Sequence, residues 1–278
     1  MCNPFLGVFM KYLLIVFLFL SSVAYSTFLP ENDLYLEDSS VFSNISEKEF
    51  DEMIYEFWDA YRQLYGDMGL DLRVLGHWND STVNAYTYVR GRTVYIEIFG
   101  GLARRPEITD DGFTSVLCHE AGHTLGGFPF YPGERMASEG QADYYTTHGC
   151  HKKLWDYSNV TRDQDYGMEL DSEAKKLCSN SSDRDLCYRS LSASLSLARL
   201  LAAGRTNVSY ATPDKTVVQR TQTSHPNAQC RLDTYRAGAL CEKRWDDTVI
   251  PSDESESYEY VCEYGIAARP RCWFAPGN

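Results

Sequence analysis

Apolar and polar positions recur along this chain with two periods, and the longer period predicts its first helix. Apolar side chains recur every three or four residues from Phe50 to Leu64, which places them on one helical face. The preceding Ser46-Glu47-Lys48-Glu49 has the pattern of a capping box, so we expect the helix to begin there. Its apolar face is predicted to be core.

Shorter runs rich in β-branched and aromatic residues follow this helix and predict strands. The predicted strands are 71–75, 85–89 and 93–99. Arg90-Gly91-Arg92 predicts the turn between the last two. Helical patterns then dominate, with helices predicted at 109–125, 138–154, 183–203 and 229–244. This order predicts an α+β fold with a small sheet packed on helices and a mostly helical C-terminal half.

The helix predicted at 109–125 contains the run His119-Glu120-Ala121-Gly122-His123. Two histidines four residues apart lie on one face of a helix, where both can bind one metal ion. The glutamate beside the first histidine is then placed to activate a water. This is the zincin signature, and it predicts a zinc-dependent enzyme.

A third metal ligand is available in the next predicted helix, at Glu139. Ser138 is the predicted N-cap of that helix. Asp143 follows Glu139 by four residues and therefore lies on the same face. From there it can accept the spare ring N–H of a ligand histidine and orient the ring from outside the ligand set.

The run Glu139-Gly140-Gln141-Ala142-Asp143 resembles the Glu-x-x-Ala-Asp element of the HtpX-like gluzincin metallopeptidases. Asn84-Ala85-Tyr86 and the strand after it resemble the family's Asn-Ala-Phe element. Ser224-His225-Pro226, with Arg231 six residues after the histidine, resembles its Thr-His-Pro and Arg motif. Together with the His-Glu-x-x-His run, these are four elements in the family's order.

The resemblance implies a zincin-like (gluzincin) fold and one Zn²⁺ per chain. His119, His123 and Glu139 would hold the metal, with Glu120 as general base for peptide-bond hydrolysis. The strand at Asn84 and Ala85 would bind extended polypeptide by edge addition, which favours unfolded or flexible substrates.

Two further residues of the resemblance have open or structural roles. As a site residue, His225 would either donate a hydrogen bond to the oxyanion or occupy the open zinc position as a reversible brake; the alternative is an ordinary capping histidine before a proline. We expect Arg231 to hold a carboxylate rather than to touch substrate.

Two other functions fit the same residues. One is an exported zinc-binding chaperone or binding module of the same fold, although such a protein would not need Glu120 as a base. The other is a hydrolase that acts on cell-wall peptides. The net charge of −13 argues against nucleic acid or an anionic membrane surface as the main partner.

The N-terminus predicts export. Lys11 precedes an apolar run from Tyr12 to Leu20, and small residues follow near Ser26, so we expect a signal peptide over 1–26. A flexible lead is expected over 27–45 and a single metallopeptidase domain over 46–278. The predicted product is a monomer without a membrane span, either periplasmic or secreted.

The nine cysteines support the same compartment. Loss of the leader removes Cys2 and leaves eight, an even number that suggests disulfides. Cys178 and Cys187 are close enough in sequence to pair locally. Cys230 and Cys241 share a predicted helix about 16 Å apart and should pair elsewhere.

Three residues near the zinc motif have structural expectations. We expect Cys118, next to the first zinc histidine, to be buried or disulfide-bonded rather than a ligand. His148 and His151 are expected at the surface.

Overall fold

A four-stranded mixed sheet lies at the N-terminal side of the fold. The computed structural model describes residues 25–37, 45–155 and 172–277. The strands are β1 (Tyr25–Thr27), β2 (Asp71–His77), β3 (Ala85–Arg90) and β4 (Thr93–Phe99). Their order is β1-β3-β4-β2, with β2 parallel to β4 and the other two pairings antiparallel. The three predicted strands are confirmed, whereas β1 was not predicted.

Nine α-helices account for nearly half of the described residues outside the strands, so the predicted α+β class is confirmed. They are α1 (Glu47–Asp67), α2 (Gly100–Ala103), α3 (Asp110–Leu125), α4 (Glu139–Tyr145), α5 (His151–Leu154), α6 (Ser172–Cys178), α7 (Arg184–Ala202), α8 (Ala228–Leu240) and α9 (Glu254–Tyr260). A π-helical turn (Thr146–Cys150) joins α4 to α5, and a 3₁₀ turn spans Gly265–Ala267.

The caps of α1 and α3 follow from their sequences. Ser46 and Glu49 form the predicted capping box of α1. Thr109 caps α3 by accepting a hydrogen bond from the amide of Gly112. The two helices meet in the core where the rings of Phe50 and Phe113 lie 5.1 Å apart, so the apolar stripe of α1 fixes α3 against the sheet.

The approach of α3 to α4 depends on Gly122. A Cβ at this position would lie 2.8 Å from Ala142 Cα, closer than side-chain carbons come to backbone atoms. Glycine therefore lets the two helices cross at the His-Glu-x-x-His run. This crossing brings the candidate ligands of α3 and α4 together.

Four disulfides connect the described helices and the C-terminal tail: Cys118–Cys150, Cys178–Cys187, Cys230–Cys272 and Cys241–Cys262. The local Cys178–Cys187 pair is confirmed, as is the disulfide role of Cys118. The helix predicted to end at Arg244 instead ends at Leu240. Cys241 turns out of the helix into extended backbone, and its disulfide to Cys262 lies beyond that turn.

The segment expected to be a flexible lead is packed over its described part. Phe28 and Leu29 are buried in the main core. The Leu36 carbonyl accepts hydrogen bonds from Arg104, which is itself buried. Apolar burial and backbone pairing outweigh the polar composition that suggested a loose segment.

The predicted leader lies outside the described residues except for Tyr25 and Ser26. Across 25–37, 45–155 and 172–277, no helix has the length and apolarity needed to cross a bilayer.

Candidate metal centre

Two helices supply the candidate ligands. His119 and His123 come from α3 and Glu139 from the first turn of α4, and all three are fully buried. His119 Nε2 lies 3.1 Å from His123 Nε2 and 3.3 Å from Glu139 Oε2. His123 Nε2 lies 3.9 Å from Glu139 Oε1. The three residues form a group that can hold a metal ion.

Hydrogen bonds on the outer ring nitrogens set the tautomers of both histidines. His119 Nδ1 lies 2.8 Å from Asp143 Oδ1, to which it donates. His123 Nδ1 donates to the Ala137 carbonyl at 2.8 Å. In the neutral rings, both Nε2 atoms therefore carry lone pairs that point toward Glu139. Three buried electron-pair donors converge there, and this arrangement is unfavourable without a cation between them.

The electrostatics also favour positive charge at the centre. Burial lowers the pKa of His119, but the Asp143 and Glu139 carboxylates outweigh it and raise the pKa to about 9. Burial opposes ionisation of Glu139, yet the histidines hold its pKa well below the usual range. Glu139 Oε2 is buried and has no hydrogen-bond partner in the part of the chain that the structure describes. A bound cation would satisfy this oxygen and the histidine nitrogens together.

Glu120 lies beside this group, and only one of its two carboxylate oxygens accepts a hydrogen bond from the described residues. Thr87 of β3 donates to Glu120 Oε2 at 2.7 Å. Glu120 Oε1 is buried and has no hydrogen-bond partner among the described residues. Burial raises the pKa of Glu120 to about 7, against the opposing effects of His119 and Thr87. A carboxylate with this pKa can both accept and return a proton near neutral pH.

His225, Asn84 and Ala85 all contact the chain's own N-terminal segment. His225 Nε2 donates to the Thr27 carbonyl at 2.7 Å and lies 3.4 Å from Glu139 Oε1. The Asn84 amide pairs with the backbone of Leu29, accepting from its N–H at 2.9 Å and donating to its carbonyl at 3.1 Å. The Ala85 carbonyl accepts from the amide of Phe28 at 3.0 Å. The structure thus brings Asn84, Glu139 and His225 into the lining of one cleft.

Tyr131 and Ser26 are site residues that sequence reasoning missed. The Tyr131 hydroxyl donates to Glu139 Oε1 and lies 3.1 Å from Ser26 Oγ. Tyr131 reaches the centre because residues 130–137 fold back through a bridge between Phe130 and Ala137. Neither residue belongs to a periodic pattern or to a motif in the sequence. Each is brought to the centre by backbone pairing of a segment outside the ligand helices.

The expectation that His148 and His151 lie at the surface is wrong, because both are fully buried. His148 Nε2 donates to the Tyr260 carbonyl at 2.8 Å, and His151 Nε2 lies 2.8 Å from Ser115 Oγ. Tyr260 of the C-terminal tail covers His148, and Ser115 of α3 and the Trp155 ring, with its centroid 3.9 Å away, cover His151. Neither belongs to the metal group.

Comparisons with known proteins found no match. No protein-family model, curated protein or solved structure matches the chain. The chemistry of the centre therefore rests on its own geometry. A cleft of about 910 Å³ opens beside it, and its lining includes Glu139, His225 and Tyr131.

Proposed function

We propose that the chain is a zinc-dependent endopeptidase with a zincin-like fold, similar to the HtpX-like gluzincins. The observation that carries this proposal is the convergence of two histidine lone pairs and the Glu139 carboxylate beside the free oxygen of Glu120. The donor set fits Zn²⁺, which is held in catalytic sites by three nitrogen or oxygen ligands with one position left open. When bound, zinc would polarise the scissile carbonyl and make a water more acidic.

Glu120 is the general base in this proposal. Its free Oε1 takes a proton from the attacking water and then delivers it to the nitrogen of the leaving amine. Thr87 holds the other carboxylate oxygen, so the group keeps one orientation through both transfers.

His225 and Tyr131 are the donors for the carbonyl oxygen as it gains charge. Burial lowers the pKa of His225, and in the neutral ring Nε2–H points to a backbone carbonyl. Burial and the neighbouring Glu139 raise the pKa of Tyr131, which keeps its hydroxyl protonated as a donor. Donors placed this way stabilise the charge that develops during acyl transfer.

The substrate class is extended polypeptide. β3 is the strand on which β1 is paired, and Asn84 and Ala85 hold the backbone that continues from β1. A substrate strand would use the same main-chain groups, which select an extended backbone rather than a sequence.

The compartment is also part of the proposal. The four disulfides fit an oxidising environment. An exported peptidase, periplasmic or secreted, accounts for these disulfides and for the apolar N-terminal run.

Zinc content and casein cleavage, compared between the parent chain and Glu120→Gln, test this function. We expect about one zinc per chain in both and cleavage by the parent alone. Because Ser26 contacts two ligand atoms, both chains are also assayed with Ser26→Ala. The proposal fails if Glu120→Gln cuts as fast as its parent. It also fails if zinc binds and neither Ser26 background cuts.

A further inference from the structure

Residues 26–29, called here the N-terminal strap, run through the candidate metal centre. β1 adds the start of the strap to β3 as the edge strand, with Ser26 opposite Thr87. Thr87 is the residue that holds Glu120. The strap therefore crosses the sheet edge directly over the proposed base, where the proposed function places substrate.

The Ser26 hydroxyl stands among the candidate ligands. Its Oγ lies 2.9 Å from His123 Nε2 and 2.9 Å from Glu139 Oε1, and the residue is buried. In a tetrahedral zinc site, with ligand atoms about 2.0–2.1 Å from the ion, neighbouring ligand atoms lie about 3.3 Å apart. The two Ser26 distances and the 3.1 Å between the histidine nitrogens are close to this spacing. Ser26 Oγ thus lies, from two of the three candidate ligands, at about the spacing of a fourth ligand atom.

The backbone after Ser26 uses the groups that would bind substrate. The Thr27 carbonyl accepts from His225, and the Phe28 carbonyl accepts from Arg231 at 2.7 Å. Leu29 is held through both of its backbone groups by Asn84. Residues 27–29 thus hydrogen-bond one after another to the side chains of His225, Arg231 and Asn84.

The Phe28 side chain fixes this arrangement. It is fully buried, with its ring 5.3 Å from the ring of His119 in an edge-on contact and 4.9 Å from the Arg231 guanidinium. A buried aromatic ring of this kind stabilises a short strand that three residues of pairing alone would not hold.

We propose that the N-terminal strap is an intramolecular inhibitor of the candidate peptidase, with Ser26 as the residue that occupies the open position at the metal. This inference rests on the proposed function. While the strap is seated, it excludes substrate from the metal centre and from the edge of β3, so the chain turns over only in the fraction that has displaced the strap. The strap includes Ser26, near which the sequence predicts leader removal, so a cut after Ser26 would separate the hydroxyl from the site.

Cobalt substitution tests the position of Ser26 without any need for activity. The chain with Ser26 retained, checked by intact mass, is loaded with Co²⁺ and titrated with acetohydroxamate, which needs an open coordination position. Removal of an internal competitor raises the apparent affinity of an added ligand, so we expect Ser26→Ala to bind it about tenfold more tightly than the parent. Thr27→Ala is the matched control, because its hydroxyl bonds to the Leu29 carbonyl and to no ligand atom.

A second variant tests the position of Ser26 independently, in case the Ser26→Ala chain repacks around the missing hydroxyl. A thiolate binds Co²⁺ and Zn²⁺ strongly, so Ser26→Cys should show a sulfur-to-cobalt charge-transfer band that Thr27→Cys lacks. Equal acetohydroxamate affinity in the parent and Ser26→Ala, or no band in Ser26→Cys, would overturn the role of Ser26. If the parent binds no metal, the proposed function itself fails. If the metal binds but Ser26 has no effect, only the inhibitory strap fails.

Discussion

Arg231 holds Asp143 through two hydrogen bonds of 2.7 Å, although 88 residues separate them in the chain. The same Asp143 lies 2.8 Å from His119 Nδ1. One carboxylate thus connects helix α8 to a candidate metal ligand on α3. Arg231 holds a carboxylate, as the sequence predicted, and it also donates to the Phe28 carbonyl.

Asp143→Asn should weaken zinc binding by about 10–100-fold, because the substitution removes the charge that orients and polarises His119. Competition with a zinc indicator measures this affinity. Asp233→Asn is the control, since Asp233 is a buried carboxylate of α8 whose contacts include Gln229 and the Asp214 amide. An Asp143→Asn chain with parental zinc affinity would contradict the role given to Asp143.

Tyr131→Phe should lower kcat by about 10²-fold with a smaller change in KM, because a donor to the developing oxyanion acts mainly in the transition state. Casein-derived peptides in the Ser26→Ala background give the two constants separately. If Tyr131 only holds Glu139, to which it also donates, zinc affinity would fall and kcat at saturating zinc would stay unchanged.

The Cys118–Cys150 disulfide joins α3 to the π-helical turn after α4. Replacing both cysteines with alanine should lower the free energy of unfolding by about 3–4 kcal/mol for a loop of this length. Zinc affinity should fall as well, because Cys118 precedes His119. Removal of Cys178–Cys187, between α6 and α7, is the control that should lower stability and leave zinc affinity intact. Denaturant unfolding and chelator competition report the two effects, and equal zinc affinity in both variants would contradict this coupling.

His148 should make the fold sensitive to acid. Burial, with the Lys152 ammonium 3.1 Å from Nδ1, lowers its pKa from 6.5 to about 3. Between pH 6.5 and about 3, the unfolded chain therefore binds a proton at His148 that the folded chain does not. The contribution of His148 to the free energy of unfolding is present above pH 6.5 and is lost as the pH falls toward 3.

For this one histidine the loss should reach about 2 kcal/mol at pH 5 relative to neutral pH. His148→Gln removes the titrating group, so the difference in unfolding free energy between parent and variant should shrink by that amount between pH 7.5 and 5. Urea denaturation at several pH values measures it. A difference that stays constant with pH would show that His148 does not carry the effect.

The sequence by itself determined the parts that depend on neighbours along the chain. The capping box of α1, the turn at Gly91 and the ligand pairs on α3 and α4 all follow from spacings of two to four residues. Local backbone geometry places such residues together wherever the helix or strand lies. For this reason the pairing of His119 with His123 and of Glu139 with Asp143 could be predicted without the fold, whereas the two pairs meet only where α3 and α4 cross at Gly122.

The other features of the candidate site depend on pairings between distant segments, so only the tertiary structure decided them. β1 has three residues and no apolar pattern of its own, and only its pairing with β3 and the burial of Phe28 place Ser26 at the candidate metal centre. Tyr131 arrives through a loop, and His148 is buried by a tail more than a hundred residues away. Spacing along the chain does not encode such contacts, which form only when the core excludes water from surfaces distant in sequence.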